Sequence, residues 1–156
     1  MTDSTQDNPG IVVPPPLIYA AALATGLLVH RFFPVKVFPR AGARLLGSLF
    51  TAIAGALVIS GMREMRRAGA TVNTTQPAAA LVTSGPFRLT RNPLYLALTF
   101  LYAGIALFVN SLWAIIPLPG VLAVMRYGVI AREESYLERR FGQQYLSYKA
   151  RVRRWI

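Results

Sequence analysis

Residues 92–125 read NPLYLALTFLYAGIALFVNSLWAIIPLPGVLAVM, a run of 34 residues without a charged side chain. One straight helix of this length would measure about 50 Å, whereas the core of a bilayer is about 30 Å thick. Asn110 and Ser111 form a polar pair near the middle of the run. The run therefore predicts a helical hairpin that turns at this pair, with membrane-spanning helices over about 93–109 and 112–130.

Two further segments, 8–29 and 45–62, also lack charged residues. Three consecutive prolines at 14–16 interrupt the first of them, so its helix is predicted over about 17–33, after a disordered tail over 1–16. The second is 18 residues long, which is enough to cross a bilayer core of about 30 Å. The sequence thus predicts four membrane spans.

The predicted fold class is all-α. It is a polytopic integral membrane helical bundle of about four transmembrane helices followed by cytoplasmic C-terminal amphipathic helices over 131–156, and 17–156 forms a single domain. Small residues in the second span, including Gly47 and Gly55, predict close helix packing. Pro117 and Pro119 fall inside the fourth span and predict a kink there.

The composition excludes several classes of protein. Hydrophobic residues make up 54% of the chain, charged residues only 15%, and the mean hydropathy is +0.42. The net charge of +11 would suit nucleic acid in a soluble protein, but the apolar runs leave almost no soluble domain to carry it. The chain has no cysteine, which excludes disulfides and thiolate catalysis, and its single histidine, His30, makes no metal site.

The distribution of positive charge predicts the orientation. With four spans, both termini share one side with 13 of the 17 Lys and Arg residues, and four lie on the other side. Positive charge accumulates on the cytoplasmic side of membrane proteins. We therefore expect a multi-pass protein of a bacterial inner membrane. Its two termini and the positively charged segments outside the spans are expected to lie in the cytoplasm.

The cytoplasmic segments carry the residues that invite a chemical interpretation. Asn92 and Pro93 are typical of the cap and first turn of a helix, and the flanking Arg88 and Arg91 would make this end attractive to anions, although both could simply meet lipid headgroups. Glu133 and Glu134 are adjacent carboxylates at the mouth of the fourth span. They suit either a cationic ligand or structural ion pairs with arginine.

Two motifs at fixed spacing resemble one family. The string LVTSGPFRLTRNPLYLA at 81–97 is followed by REESYLERRFGQQYLSYKARVRRWI at 132–156. Members of the isoprenylcysteine carboxyl methyltransferase family and its phospholipid methyltransferase relatives read close to G-P-[FY]-R-x-x-R-[HN]-P-x-Y and then E-E-x-x-L-x-x-x-F-G-x-x-Y-x-x-Y. The resemblance covers about 81–156.

The resemblance implies an integral membrane methyltransferase that uses S-adenosylmethionine and a lipophilic methyl acceptor entering from membrane lipid. The composition, for its part, predicts no metal and no nucleic acid as partners. Carried over residue by residue, the resemblance implies cofactor binding by Leu81, Val82, Gly85, Arg91, Asn92, Pro93, Tyr95, Glu133 and Glu134, and catalytic roles for Arg88, Arg126 and Glu133. Many eukaryotic members have histidine at the position of Asn92. This chain therefore cannot use a histidine base at this site.

Several functions remain open at the level of sequence. The candidates for the methyl acceptor are an isoprenylcysteine-like carboxylate, a phospholipid amine, an isoprenoid and a small thiol. A nicotinamide-dependent membrane reductase is a second candidate, because sterol reductases share a similar C-terminal architecture. The third is a non-enzymatic membrane adaptor whose basic tail binds lipid.

Overall fold

A computed structural model describes residues 9–11, 13–70 and 77–155. The described residues form helices and no strand. The helices in chain order are α1 (Pro15–Phe32), α2 (Arg40–Arg67), α3 (Pro93–Val109), α4 (Leu112–Ile115), α5 (Leu118–Val124), α6 (Ala131–Phe141) and α7 (Gln143–Arg151). A short 3₁₀ helix, Gly85–Arg88, precedes α3, and a π-helical turn, Met125–Ile130, joins α5 to α6.

Two helical stretches are long and apolar enough to cross a membrane: α2 and the stretch Leu112–Phe141 that runs from α4 through α6. The third helix is apolar but has 17 residues. Membrane-length helices and the all-helical fold therefore agree with the sequence analysis, and the four-span arrangement stays a prediction. The second helix is longer than the predicted 45–62 because its charged flanks, rich in arginine, continue the helix at both ends.

The predicted hairpin turn is present at Asn110 and Ser111. Asn110 has left-handed backbone angles (φ 58°, ψ 50°) and is buried. Its side-chain Oδ1 accepts hydrogen bonds from the backbone N–H groups of Val37 and Phe38, both at 3.0 Å, and its Nδ2 donates to the Phe38 carbonyl at 2.7 Å. One side chain thus ties the α3–α4 turn to the α1–α2 loop. The helical structure is interrupted again at Pro117, between α4 and α5, as predicted.

The core lies where α1, α3 and the α4–α5 region meet. Tyr19, Tyr102 and Met125 are buried in it, and the Tyr19 hydroxyl pairs with Thr99 Oγ1 at 2.8 Å. The most extensive contact in the molecule is between α2 and α3. Gly47 on α2 allows the backbones of these two helices to come together, because a Cβ atom there would lie 2.7 Å from the Phe108 backbone nitrogen.

Both ends of the chain differ from the expectation. The first helix begins at Pro15, and the predicted disordered tail lies outside the described residues over 1–8 and at residue 12. Ile11 packs against the core, and the Gly10 carbonyl accepts a hydrogen bond from Arg132 at 3.1 Å, so this part of the tail contacts the body. At the other end, Gly142 separates α6 from α7 with a positive φ of 51°, and the helix stops at Arg151.

The predicted helix over 131–156 is therefore wrong for its last described residues. Residues 152–155 form an extended segment, which we call the C-terminal tail. Its backbone carbonyls bond to the segment before α3: Arg153 O accepts from the Arg91 N–H at 3.0 Å, and Arg154 O accepts from Thr90 Oγ1 at 3.1 Å. These tertiary bonds replace the intrahelical bonds that a continued helix would have made.

Candidate functional site

One cavity of about 550 Å³ opens where the ends of the helices converge. Its walls come from the residues before and at the start of α1, the end of α2, the segment 78–82, the start of α3, α6 and α7. Ligand pockets in proteins typically have volumes of about 300–1,000 Å³. The cavity is thus of a suitable size for a small molecule, and six separate parts of the chain build it.

The cavity brings together eight of the eleven residues that the sequence nominated. They are Leu81, Val82, Arg91, Asn92, Pro93, Tyr95, Glu133 and Glu134. They reach one place because the start of α3 lies beside α6, although the two motifs are about 40 residues apart in sequence. Whether they bind a cofactor stays a prediction, which the shared cavity makes testable.

The other three nominated residues lie outside this cavity. Arg88 ends the 3₁₀ helix and is exposed. Arg126 is also exposed, with its guanidinium carbon 5.6 Å from the ring centre of Tyr127. Gly85 has a positive φ of 57° and lies against the side chain of Glu64, which accepts a hydrogen bond from Ser84 at 2.6 Å. The predicted catalytic roles of the two arginines therefore have no geometric basis in this cavity, and Gly85 shapes the loop.

A buried ion-pair cluster forms the polar end of the cavity. Glu134 accepts from two arginines: Arg91 Nη2 lies 3.1 Å from Oε1, while Arg154 Nε lies 2.9 Å from Oε1 and Arg154 Nη2 lies 2.5 Å from Oε2. The side chains of Arg91 and Glu134 are only 9% and 7% exposed. Within the described part of the chain, Arg91 Nε and Nη1 are buried without a hydrogen-bond partner. Such unpaired donors are costly and are expected to attract an acceptor.

Glu133 has a different environment from its neighbour. It is partly buried, and its Oε1 accepts a hydrogen bond from the Tyr95 hydroxyl. The structure thus separates the two adjacent carboxylates: Glu134 is satisfied by arginines, as in the structural interpretation of the sequence, and Glu133 is held by a neutral hydroxyl. A carboxylate without a cationic partner is the better candidate for binding a cationic group of a ligand.

Asn92 occupies the position before α3 that the sequence predicted, but its side chain makes no capping hydrogen bond. Its Nδ2 donates instead to the Arg154 carbonyl at 2.9 Å. The prediction of a side-chain cap is therefore wrong, because the C-terminal tail supplies a carbonyl that competes for this amide. Thr90 Oγ1 donates to the same carbonyl and accepts from the Asn92 N–H at 3.2 Å.

This geometry predicts an order of stability for variants at residue 92. Asn92→His retains an N–H donor for the Arg154 carbonyl, whereas Asn92→Asp places a carboxylate against that oxygen. We expect the histidine variant to unfold near the wild-type temperature and the aspartate variant to lose about 1–3 kcal/mol of stability. Thermal unfolding in detergent measures this. A stable aspartate variant beside an unstable histidine variant would contradict the assigned hydrogen bond and favour capping.

Tyrosines that the sequence did not nominate close the cavity wall. Tyr148 donates to the Phe87 carbonyl at 2.6 Å, and the Tyr136 hydroxyl accepts from the Ala78 N–H at 2.9 Å. Burial raises the pKa of Tyr148 to about 12, against a smaller opposite effect of the positive charge of Arg91. Burial also raises the pKa of Tyr145 far above its ordinary value. The phenols of Tyr145 and Tyr148 therefore stay neutral. The spacing of these two residues was the available sign of a buried helix face.

Much of the cavity lining is apolar. Val58 and Met62 from α2 and Leu94 and Leu98 from α3 line it. These side chains belong to the helices with the apolar, membrane-type sequences. The cavity thus combines charged and apolar side chains in one space, which suits an amphipathic ligand or one polar and one apolar ligand.

Comparison with known proteins gives the family. The family model for phospholipid methyltransferase matches residues 43–144, more than half of the 156 residues. An uncharacterised protein of Haemophilus influenzae is 36% identical over 63 residues, which are 40% of this chain and the whole of that relative. No solved structure matches the chain. The nominated residues from Leu81 to Glu134 fall within the matched region, and the chain belongs to the phospholipid methyltransferase family, a family of membrane methyltransferases.

Proposed function

We propose that the protein transfers a methyl group from S-adenosylmethionine to a lipophilic acceptor. The observation that carries the proposal is the cavity whose lining combines charged residues of both family motifs with apolar residues of α2 and α3. The charged residues match an amino acid, and the apolar residues match a lipid tail. The family membership supports the same reaction class.

The residues present fit such a cofactor. The unpaired nitrogens of Arg91, a residue that lines the cavity, suit its carboxylate. Glu133, oriented by Tyr95, suits its ammonium group. Leu81, Val82 and Pro93 line the same space and exclude water around the nucleoside.

The cofactor, when bound, supplies a methyl group on a positively charged sulfur that departs as a neutral thioether. The protein then contributes mainly alignment and dryness, because the leaving group is already activated. Fixing the cofactor at its charged end with Arg91 and Glu133 restricts where the sulfur lies. The apolar side chains of Met62 and Leu98, which line the same cavity, contact the acceptor.

The charges in the cavity disfavour a carboxylate as the acceptor. Among the described residues that line it, Arg91 is the one cation, and Glu133 and Glu134 are the carboxylates. If Arg91 binds the carboxylate of the cofactor, an isoprenylcysteine-like carboxylate meets no second positive charge. A phospholipid amine needs no such charge and agrees with the description of the family.

A labelled methyl-transfer assay on membranes that contain the protein tests this proposal. Label from S-adenosylmethionine is expected in a lipid extract, and the product identifies the acceptor: an N-methylated headgroup, a base-labile methyl ester or a thioether. Membranes with the Glu133→Gln variant provide the background. No labelled product, together with binding of NADPH, would favour the reductase; no binding of either nucleotide would favour the adaptor.

Glu133 gives a sharp prediction at the site. Glu133→Gln keeps the shape of the side chain and removes its charge, so cofactor affinity is expected to fall by about 1–3 kcal/mol, the range for a lost charged hydrogen bond. The matched control is Glu138→Gln on the same helix, where the carboxylate pairs with Lys149. Isothermal titration with S-adenosylmethionine measures both variants. Equal affinity of the Glu133 variant and the wild type would remove this residue from the site.

The orientation is proposed with the cofactor site on the cytoplasmic side, from the count of 13 positive residues against four. A reporter enzyme fused after the last residue and another inserted in the loop between α1 and α2 should report opposite sides of the membrane. The same side for both reporters would overturn the four-span arrangement. A periplasmic C-terminus would reverse the orientation.

A further inference from the structure

The ion-pair cluster at the polar end of the cavity has three charged side chains: Arg91 and Glu134 line the cavity, and Arg154, which is not among the lining residues, contacts Glu134. The charges of the three do not balance. Arg91, Arg154 and Glu134 together carry one excess positive charge. The two oxygens of Glu134 are shared unequally: Arg154 uses Nε and Nη2 in a two-pronged contact, at 2.9 and 2.5 Å, while Arg91 contributes one contact at 3.1 Å. Glu134 is thus neutralised mainly by the C-terminal tail.

This unequal sharing determines which side-chain nitrogens of Arg91 remain available for a ligand. Two of its three side-chain nitrogens, Nε and Nη1, are buried and unpartnered in the described structure. A buried guanidinium with spare donors is unfavourable until it meets an acceptor. Without Arg154, the carboxylate of Glu134 would be free to pair with Arg91 alone, and the excess positive charge of the cluster would disappear.

We propose that Arg154 is a positioning residue that, by holding Glu134, keeps Arg91 available to bind the carboxylate of a ligand in the cavity. The C-terminal tail thereby sets the preference of the cavity for a ligand with a carboxylate. The identity of this ligand as the cofactor rests on the proposed function. The backbone also fixes the position of Arg154, since its carbonyl accepts hydrogen bonds from Asn92 Nδ2 at 2.9 Å and from Thr90 Oγ1 at 3.1 Å.

The test compares two nucleoside thioethers that differ at the amino acid end. S-adenosylhomocysteine has the carboxylate, and 5′-methylthioadenosine lacks the whole amino acid group. We expect Arg154→Gln to weaken binding of the first about tenfold, corresponding to the loss of one charged hydrogen bond. Binding of the second should stay unchanged. Arg153→Gln is the matched control, because the side chain of Arg153 is exposed and its carbonyl contact is kept.

The double variant Glu134→Gln/Arg154→Gln provides the decisive measurement. Removing both charges restores one excess positive charge on Arg91, so affinity for S-adenosylhomocysteine is expected to return toward the wild-type value. A purely structural role of Arg154 predicts no such rescue, and it predicts equal losses for both ligands.

The outcomes separate the two proposals. Equal losses for both nucleosides, or a double variant no better than Arg154→Gln, would overturn the role of Arg154 while wild-type binding still supports the cofactor. Failure of the wild type to bind either nucleoside would overturn the proposed function itself.

Discussion

Replacing Arg91 by glutamine is expected to weaken binding of S-adenosylmethionine about 10- to 100-fold, the effect of losing a charged hydrogen bond to a buried carboxylate. The reason is the cluster at the polar end of the cavity, where the side chain of Arg91 is 9% exposed and two of its nitrogens are unpartnered. Glutamine offers one amide in place of a charged, forked donor. In this variant Glu134 remains paired with Arg154, so its carboxylate keeps a cationic partner.

Arg88→Gln is the matched control for this prediction. Arg88 lies three residues earlier, shares the family motif and has the same charge, but it is exposed and outside the cavity. We expect its cofactor affinity to equal that of the wild type. Equilibrium binding of S-adenosylmethionine to the detergent-solubilised variants measures both. A larger loss for Arg88 than for Arg91 would mean that the cofactor binds elsewhere than in this cavity.

Gly47→Ala is expected to cause a large loss of stability. The added Cβ would lie 2.7 Å from the Phe108 nitrogen and 2.8 Å from the Gly104 oxygen, and both are backbone atoms that no rotamer change can move. Overpacking typically costs about 1–3 kcal/mol and sometimes more, and here the helices α2 and α3 must separate along their main contact. We expect a strong fall in the unfolding temperature and in the yield of folded protein.

Gly55→Ala on the same helix is the control, since nothing lies within 4 Å of a Cβ there. Alanine is the better helix former by about 1 kcal/mol, so this variant should be as stable as the wild type or more so. Fluorescence-monitored thermal unfolding in detergent compares the two. Similar unfolding temperatures for both variants would show that α2 and α3 do not approach as closely as described.

The sequence was informative where one local property decides the structure. The charge-free run located the hairpin, because the polar pair Asn110 and Ser111 is the natural interruption of an apolar stretch. It could not indicate that Asn110 reaches back to the α1–α2 loop, since such a bond depends on where a distant segment comes to lie. Helix length was underestimated in α2, because an absence of charge marks the membrane rather than the end of a helix.

The candidate site was also predictable where a local string of residues forms it, and not where distant segments meet. The two motifs predicted most of the cavity lining, since each is a local string whose residues share one helix start or one helix face. They did not separate Arg88 from Arg91, because irregular backbone has no period that distinguishes an exposed position from a buried one. In the sequence, Arg154 is only one of the 13 positive residues predicted on the cytoplasmic side. Its contact with Glu134 comes from the return of the chain after α7.

The π-helical turn at Met125–Ile130 should allow the cavity to tolerate the deletion of one residue within the turn. A π turn accommodates one residue more than the α-helical ladder would hold. Deleting one of the exposed residues Arg126, Tyr127 or Gly128 would let the turn relax to α-helix while α6 keeps its orientation. Forcing the undeleted sequence into α-helix would instead rotate α6 by about 100°, one residue of helical twist, and carry Glu133 away from Tyr95.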